Sequence, residues 1–177
     1  MHYQLVTESF GREEKLQAFL AESSTIGHVL FKEPAETKLQ FFAILVWEKQ
    51  FPEKKLGVGI CYQAHGPKPC FLLQRELSRL IIGYNRTVRS VQLLSGKSSL
   101  IMDLDGIIYS IIQMEDFIII VYETGVVAVT SSDKVLWHFS GDIIESFTIN
   151  DGIGYMTYME GSDPIRLNLV NGRIVKI

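Results

Sequence analysis

The sequence predicts a mainly β protein: one N-terminal helix, then long antiparallel strands, then repeated antiparallel hairpins that form an open stack. Three observations carry this. Only one stretch has helical periodicity, β-branched and aromatic runs dominate the remainder, and a strand–turn pattern recurs at nearly constant spacing in the second half.

The helix is expected just after residue 10. Ser9 is placed to cap it, Glu13 and Glu14 suit the positive end of the first turn, and Leu16, Phe19 and Leu20 repeat at i, i+3, i+4. "ESST" closes it. The runs "IGHVLFKE", "KLQFFAILVWE" and "KLGVGICYQ" then read as strands. "EKQFPEKK" reads as a loop joining two antiparallel neighbours. "HGPKP" ends the third run, because proline removes ladder donors and glycine eases the turn. "LLQRELSRL" fits a short helix or a strand.

The second half repeats. "LIIGYNRTVRSVQLLSGK" from Leu80, "IIIVYETGVVAVTSSDK" from Ile118 and "GYMTYMEGSDPIRLNLVNGR" from Gly154 align with Tyr84, Tyr122 and Tyr158 in register. Each tyrosine closes an apolar strand and precedes a polar turn. An alternating strand follows, then a second turn with Lys97, Lys134 or Arg173. Short strands "VLWHF" and "IVKI" come after the last two. Period-2 alternation suits sheets with a buried face. "GVVAVTSSDKVLWHF" is similar to the repeat of quinoprotein-type β-propeller blades, and Trp137 stands where that repeat places its tryptophan. The resemblance covers roughly residues 77–177 and implies blade-like hairpins. Three such units are too few for the four to eight blades of a closed ring, so the expectation is an open or partial propeller-like stack. No cofactor site is carried over from that family. The chain is accordingly divided into residues 1–76, helix plus strands, and 77–177, the repeat region.

"SLIMDLDG" invites a second reading. Its Asp-x-Asp-Gly resembles the first motif of the haloacid-dehalogenase phosphatases, which would make Asp103 a nucleophile and Asp105 an acid/base working with Mg²⁺. That family implies a parallel sheet with crossover helices, a later Ser/Thr, a lysine and an acidic pair. Here Ile107 replaces the motif's threonine, Lys134 lacks a neighbouring acidic pair, and the following sequence holds no helical pattern. The repeat accounts for the motif better. "DGIIYSII" from Asp105 lies over "GDIIESFT" from Gly141, so both Asp/Gly pairs are expected in equivalent turns, with Ile107 and Ile143 alike.

The 177 residues, 47% hydrophobic and 21% charged, describe an ordered chain with no run long enough for a membrane helix. The first residues lack a basic segment followed by an apolar core, so a cytoplasmic location is expected. Cys61 and Cys70 are expected reduced. With His65 they supply three metal ligands and no fourth, so no metal is assigned. His2, His28 and His138 are scattered singly. "GVG" at Gly57–Gly59 lacks the third glycine and helix of a dinucleotide loop, and the sequon at Asn85 has no role in a cytoplasmic chain. Phe41, Phe42, Trp47, Phe71 and Trp137 read as core.

Net charge is −3, unevenly spread: residues 1–98 carry 13 Lys/Arg against 9 Asp/Glu, residues 99–177 carry 4 against 11. An acidic second half disfavours nucleic acid and suits a basic protein partner. Arg75, Arg79, Arg86 and Arg89 around Tyr84 are the candidate binding residues of the first half, as a stripe for phosphate or an acidic partner. No catalytic triad can be nominated. The function expected is therefore a non-catalytic protein-interaction module, in one version a small acidic neutralising partner of immunity type. Its partner is another protein or a second copy of the chain, and no cofactor is called for.

Overall fold

A computed structural model describes residues 2–32, 38–159 and 161–175. It holds one α-helix and four four-stranded sheets, mostly antiparallel and none closed on itself, as the sequence predicts for a partial propeller. The chain divides into two compact units, Met1–Asp103 and Leu104–Ile177. The boundary expected at 76/77 falls in the turn between two strands of the first unit.

The first unit opens with β1 (Tyr3–Phe10), α1 (Glu13–Ser23), β2 (Gly27–Lys32), β3 (Leu39–Glu48) and β4 (Leu56–Gln63). These strands form one sheet in the order β1-β3-β4-β2. β3 and β4 are antiparallel neighbours, as the loop between them suggests, whereas β2 runs parallel to β4 after the helical crossover. Ser9 does not cap the helix. It lies in β1 paired with Phe42, and Arg12 occupies the cap position without a side-chain bond. An extended backbone through residue 10 keeps the Ser9 hydroxyl away from the first helical amides. The strand expected over Ile26–Glu33 is Gly27–Lys32, and Glu33 lies outside the described residues.

Alternation along β3 and β4 divides their side chains between two cores. Phe41, Ala43 and Cys61 meet Leu16 and Leu20 of α1. Phe42, Ile44, Val46, Leu56, Val58, Ile60 and Tyr62 turn to the opposite face. Each fully buried aliphatic side chain contributes about 1.5–3 kcal/mol. The "GVG" stretch, useless as a nucleotide loop, has its explanation here. A Cβ at Gly57 would sit 2.9 Å from a Leu20 methyl, and one at Gly59 2.7 Å from another, so two bare positions on β4 seat the helix.

The second sheet of this unit is a meander: β5 (Cys70–Gln74), β6 (Arg79–Tyr84), β7 (Thr87–Gln92) and β8 (Ser98–Asp103), hydrogen-bonded in that order. "LLQRELSRL" is thus the end of β5, a turn and the start of β6. Leu80, Ile82, Tyr84 and Val91 complete the core against the first sheet, where Phe31 stacks on Tyr84 at 6.0 Å.

The second unit holds two further meanders. One is β9 (Ile108–Gln113), β10 (Phe117–Tyr122), β11 (Gly125–Thr130) and β12 (Val135–Ser140). The other is β13 (Ile144–Asn150), β14 (Ile153–Tyr158), β15 (Ile165–Asn168) and β16 (Arg173–Ile174). Tyr84, Tyr122 and Tyr158 each end the second strand of their sheet, so the repeat read from sequence is the blade. The last strand is shorter than expected, and residues 176–177 lie outside the described ones. Ile119, Val121, Val126 and Ala128 pack against Ile144, Met156, Tyr158 and Leu167. Trp137 fastens the two sheets: its Nε1–H donates to the Leu169 carbonyl at 3.1 Å, and its ring lies against Gly172.

Candidate functional site

Asp105–Gly106 and Gly141–Asp142 do occupy equivalent turns. The residue after each tyrosine donates its amide to the isoleucine carbonyl that ends the turn, Glu123 to Ile107 at 2.8 Å and Met159 to Ile143 at 3.0 Å. The role of glycine differs from expectation, because neither Gly106 nor Gly141 has a positive φ. Both are places of close approach. A Cβ at Gly106 would meet the Tyr122 ring at 3.1 Å, and one at Gly141 the Tyr158 hydroxyl at 2.9 Å.

These turns gather at one end of the second unit. Gly141 donates to Thr124 and Ile144 donates to Glu123, both at 2.8 Å, which joins the turns of one sheet to those of the other. The segments 104–107, 123–124, 141–145 and 161–164 bring together Asp105, Glu123, Asp142, Glu145 and Asp163, and contain no Lys or Arg. Asp142 accepts from the Ser162 hydroxyl at 2.8 Å, and Glu123 from the Ile107 amide at 3.3 Å. The local field registers on the tyrosines. Burial first and the Glu123 carboxylate second push the Tyr109 phenol above its ordinary pKa; burial and Asp142 do the same to Tyr158.

Beside the acidic turns, between β9–β10 and β13, lies a groove of about 430 Å³, lined by Tyr109, Val121, Ile144, Glu145, Phe147 and Met159. Tyr109 is 40% exposed and Met159 67%. Apolar floor and acidic rim together can take a basic segment with an apolar side chain. Charge counting alone locates the acidity in this half. The groove escapes sequence reading because it joins residues on three strands.

The phosphatase reading finds no support. Asp103 ends β8, where it accepts from the Thr87 hydroxyl at 2.9 Å, and Asp105 lies in a turn of the second unit. The sheets that carry them are antiparallel meanders, whereas phosphoryl transfer on that template requires a parallel sheet with crossover helices.

The four candidate arginines are placed apart. Arg75 and Arg86 are exposed in turns at opposite ends of β6. Arg79 is buried and donates through Nε to Gln74 at 2.6 Å. Arg89 lies on the other face of the sheet, with its guanidinium 5.2 Å from the Phe31 ring centre. Cys61 and Cys70 are free thiols, Cys61 under α1 and Cys70 on β5. Among the described residues no group of three metal-ligating side chains converges.

No protein-family profile matches the chain. No curated protein sequence matches it either. Solved structures do. The AfRom2 CNH domain is 13% identical, with a TM-score of 0.52 over 86% of this chain and 52% of that one. Sqt1 of Saccharomyces cerevisiae is 14% identical, with a TM-score of 0.51 over 81% and 46%. A chain of a nidogen/laminin complex is 10% identical, with a TM-score of 0.50 over 78% and 58%. The present chain spans about half the length of these proteins. They are β-propeller and WD40-like proteins, and the four-stranded sheets here are blades of that kind. The class defined is a mainly β, propeller-like chain of four unclosed sheets.

Proposed function

We propose that the protein is a non-catalytic interaction module that holds a basic protein partner at the acidic end of its second unit. The observation that supports this best is the conjunction of five carboxylates, on turn segments that hold no lysine or arginine, with a partly exposed apolar groove. Opposite charges guide the encounter and set orientation, while burial of apolar surface supplies affinity. Propeller-like neighbours fit an interaction role, one of them being solved in a nidogen/laminin complex. An immunity-type partner that neutralises a basic protein is the specific version that charge and size favour.

The test is co-purification of the tagged full chain from its native source at about 50 mM and about 500 mM salt, where screening lengths differ roughly threefold. A basic protein retained at low salt, released at high salt and lost with the Asp142→Lys/Glu145→Lys double variant is the expected result. Recovery of no partner at either salt, or of one indifferent to both substitutions, would overturn the proposal.

A further inference from the structure

The first unit carries a second groove, framed by connections that hold more lysines than carboxylates. It has a volume of about 390 Å³, and Ile26, Trp47, Glu48, Phe51, Lys54 and Leu94 are among the residues that line it. It lies where the α1–β2 connection, the β3–β4 loop and the β7–β8 turn meet. Its apolar side chains are unusually open to solvent: Ile26 is 47% exposed, Phe51 43% and Leu94 72%. Scattered exposed leucines need no explanation, but three around one concavity of ligand-pocket size do.

The connections that frame the groove contribute Lys49, Lys54, Lys55 and Lys97, against Glu53 and the strand-end Glu48. Two of these lysines sit over its aromatic rings. Lys54 Nζ is 4.9 Å from the centre of Phe51, and Lys55 Nζ is 5.3 Å from the centre of Trp47. Neither is in an ion pair among the described residues. Each ammonium is therefore held beside an apolar surface with hydrogens to spare for a carboxylate.

We propose that this groove docks an acidic peptide segment bearing a large apolar side chain. The apolar side chain enters between Phe51 and Leu94, and flanking Asp or Glu residues meet Lys54 and Lys55. The charge complementarity names the occupant: a basic segment would face the lysines, and a wholly apolar one would leave them without counter-charge. The groove is built from residues of the first unit alone, whereas the acidic turns belong to the second.

The experiment is selection of random dodecapeptides displayed on phage against the immobilised full chain at low salt. Enriched peptides are then synthesised with a fluorescent label and titrated by anisotropy. Enrichment of sequences that pair Asp or Glu with Leu, Phe or Trp is expected. Leu94→Ser and Lys54→Glu should each weaken binding about tenfold, a loss of about 1.4 kcal/mol. Glu115→Lys, in a turn of the second unit and lining neither groove, should leave binding unchanged. Both groove positions are exposed, so the variants keep their fold, which thermal melting checks. Enrichment without acidic bias, no enrichment, or binding indifferent to both variants would overturn the proposal. So would a concentration-dependent dimer that Leu94→Ser dissolves, since the occupant would then be a second copy.

Discussion

At the residue scale, Tyr122 and Tyr158 show one repeat position solved in two ways. The Tyr122 hydroxyl lies 2.6 Å from His138 Nε2 and 3.2 Å from Ser140 Oγ, whereas that of Tyr158 is buried with no partner among the described residues. Losing a made bond costs about 1 kcal/mol, but removing an unsatisfied buried hydroxyl costs nothing and can stabilise. Tyr122→Phe should therefore lower unfolding stability by about 1 kcal/mol, and Tyr158→Phe should leave it unchanged or raise it. Paired urea titrations decide this, and equal losses in both variants would contradict it. Cys70 offers a second test. Burial pushes its thiol from 9.0 up to about 11, partly offset by its backbone contacts. The thiolate at pH 8 is then about one part in a thousand, so a disulfide reagent should react with native protein very slowly and with urea-unfolded protein at once. Since the folded pKa is the higher one, the associated stability is complete below pH 9 and declines toward pH 11. Cys70→Ala should flatten that alkaline decline.

At the scale of elements, the docking of α1 rests on two absent side chains. Adding a Cβ at Gly59 brings it within 2.8 Å of methyls on both Leu20 and Leu30, in a core where Leu16 and Leu20 are fully buried. Gly59→Ala should destabilise by about 1–3 kcal/mol through overpacking, and the variant's helix should exchange amide hydrogens faster than its meander strands. A Gly59→Ala protein as stable as wild type would refute the seat. This element also marks the limit of legibility. The blade repeat could be read because Tyr84, Tyr122 and Tyr158 recur within one chain, and local alternation then fixes the strands. β1 could not, because "YQLVTESF" has its apolar residues mixed with polar ones and is defined by pairing with β3. The same holds for the parallel β2–β4 pairing, which depends on the crossover. The acidic turns were readable as charge and as Asp/Gly pairs, but the groove beside them, built from distant strands, was not.

At the scale of the whole molecule, the sheets at the two ends of the sequence differ in how they finish their outer faces. In the first unit, α1 covers the face of β3 and β4 that turns away from the meander. In the second unit, the last sheet turns Ser146, Thr148, Tyr155, Thr157, Arg166 and Asn168 outward. Ser146 and Thr157 bond each other at 2.7 Å, and Arg166 lies 5.6 Å from the Tyr155 ring centre. Packing a further sheet on this face would have to desolvate those groups. Charge adds to this: the first unit carries 13 Lys/Arg against 10 Asp/Glu and the second 4 against 10, so copies joined second unit to second unit would repel. The chain should therefore be a monomer at micromolar concentration. Sedimentation equilibrium should return a mass close to 20.1 kDa that does not change between low and high salt. Replacing Thr148 and Thr157 by valine strips polarity from the outer face while keeping β-branched shape, and should shift the population toward dimers. A wild-type dimer, or a double variant that stays monomeric, would show that this polar face is not what keeps copies apart.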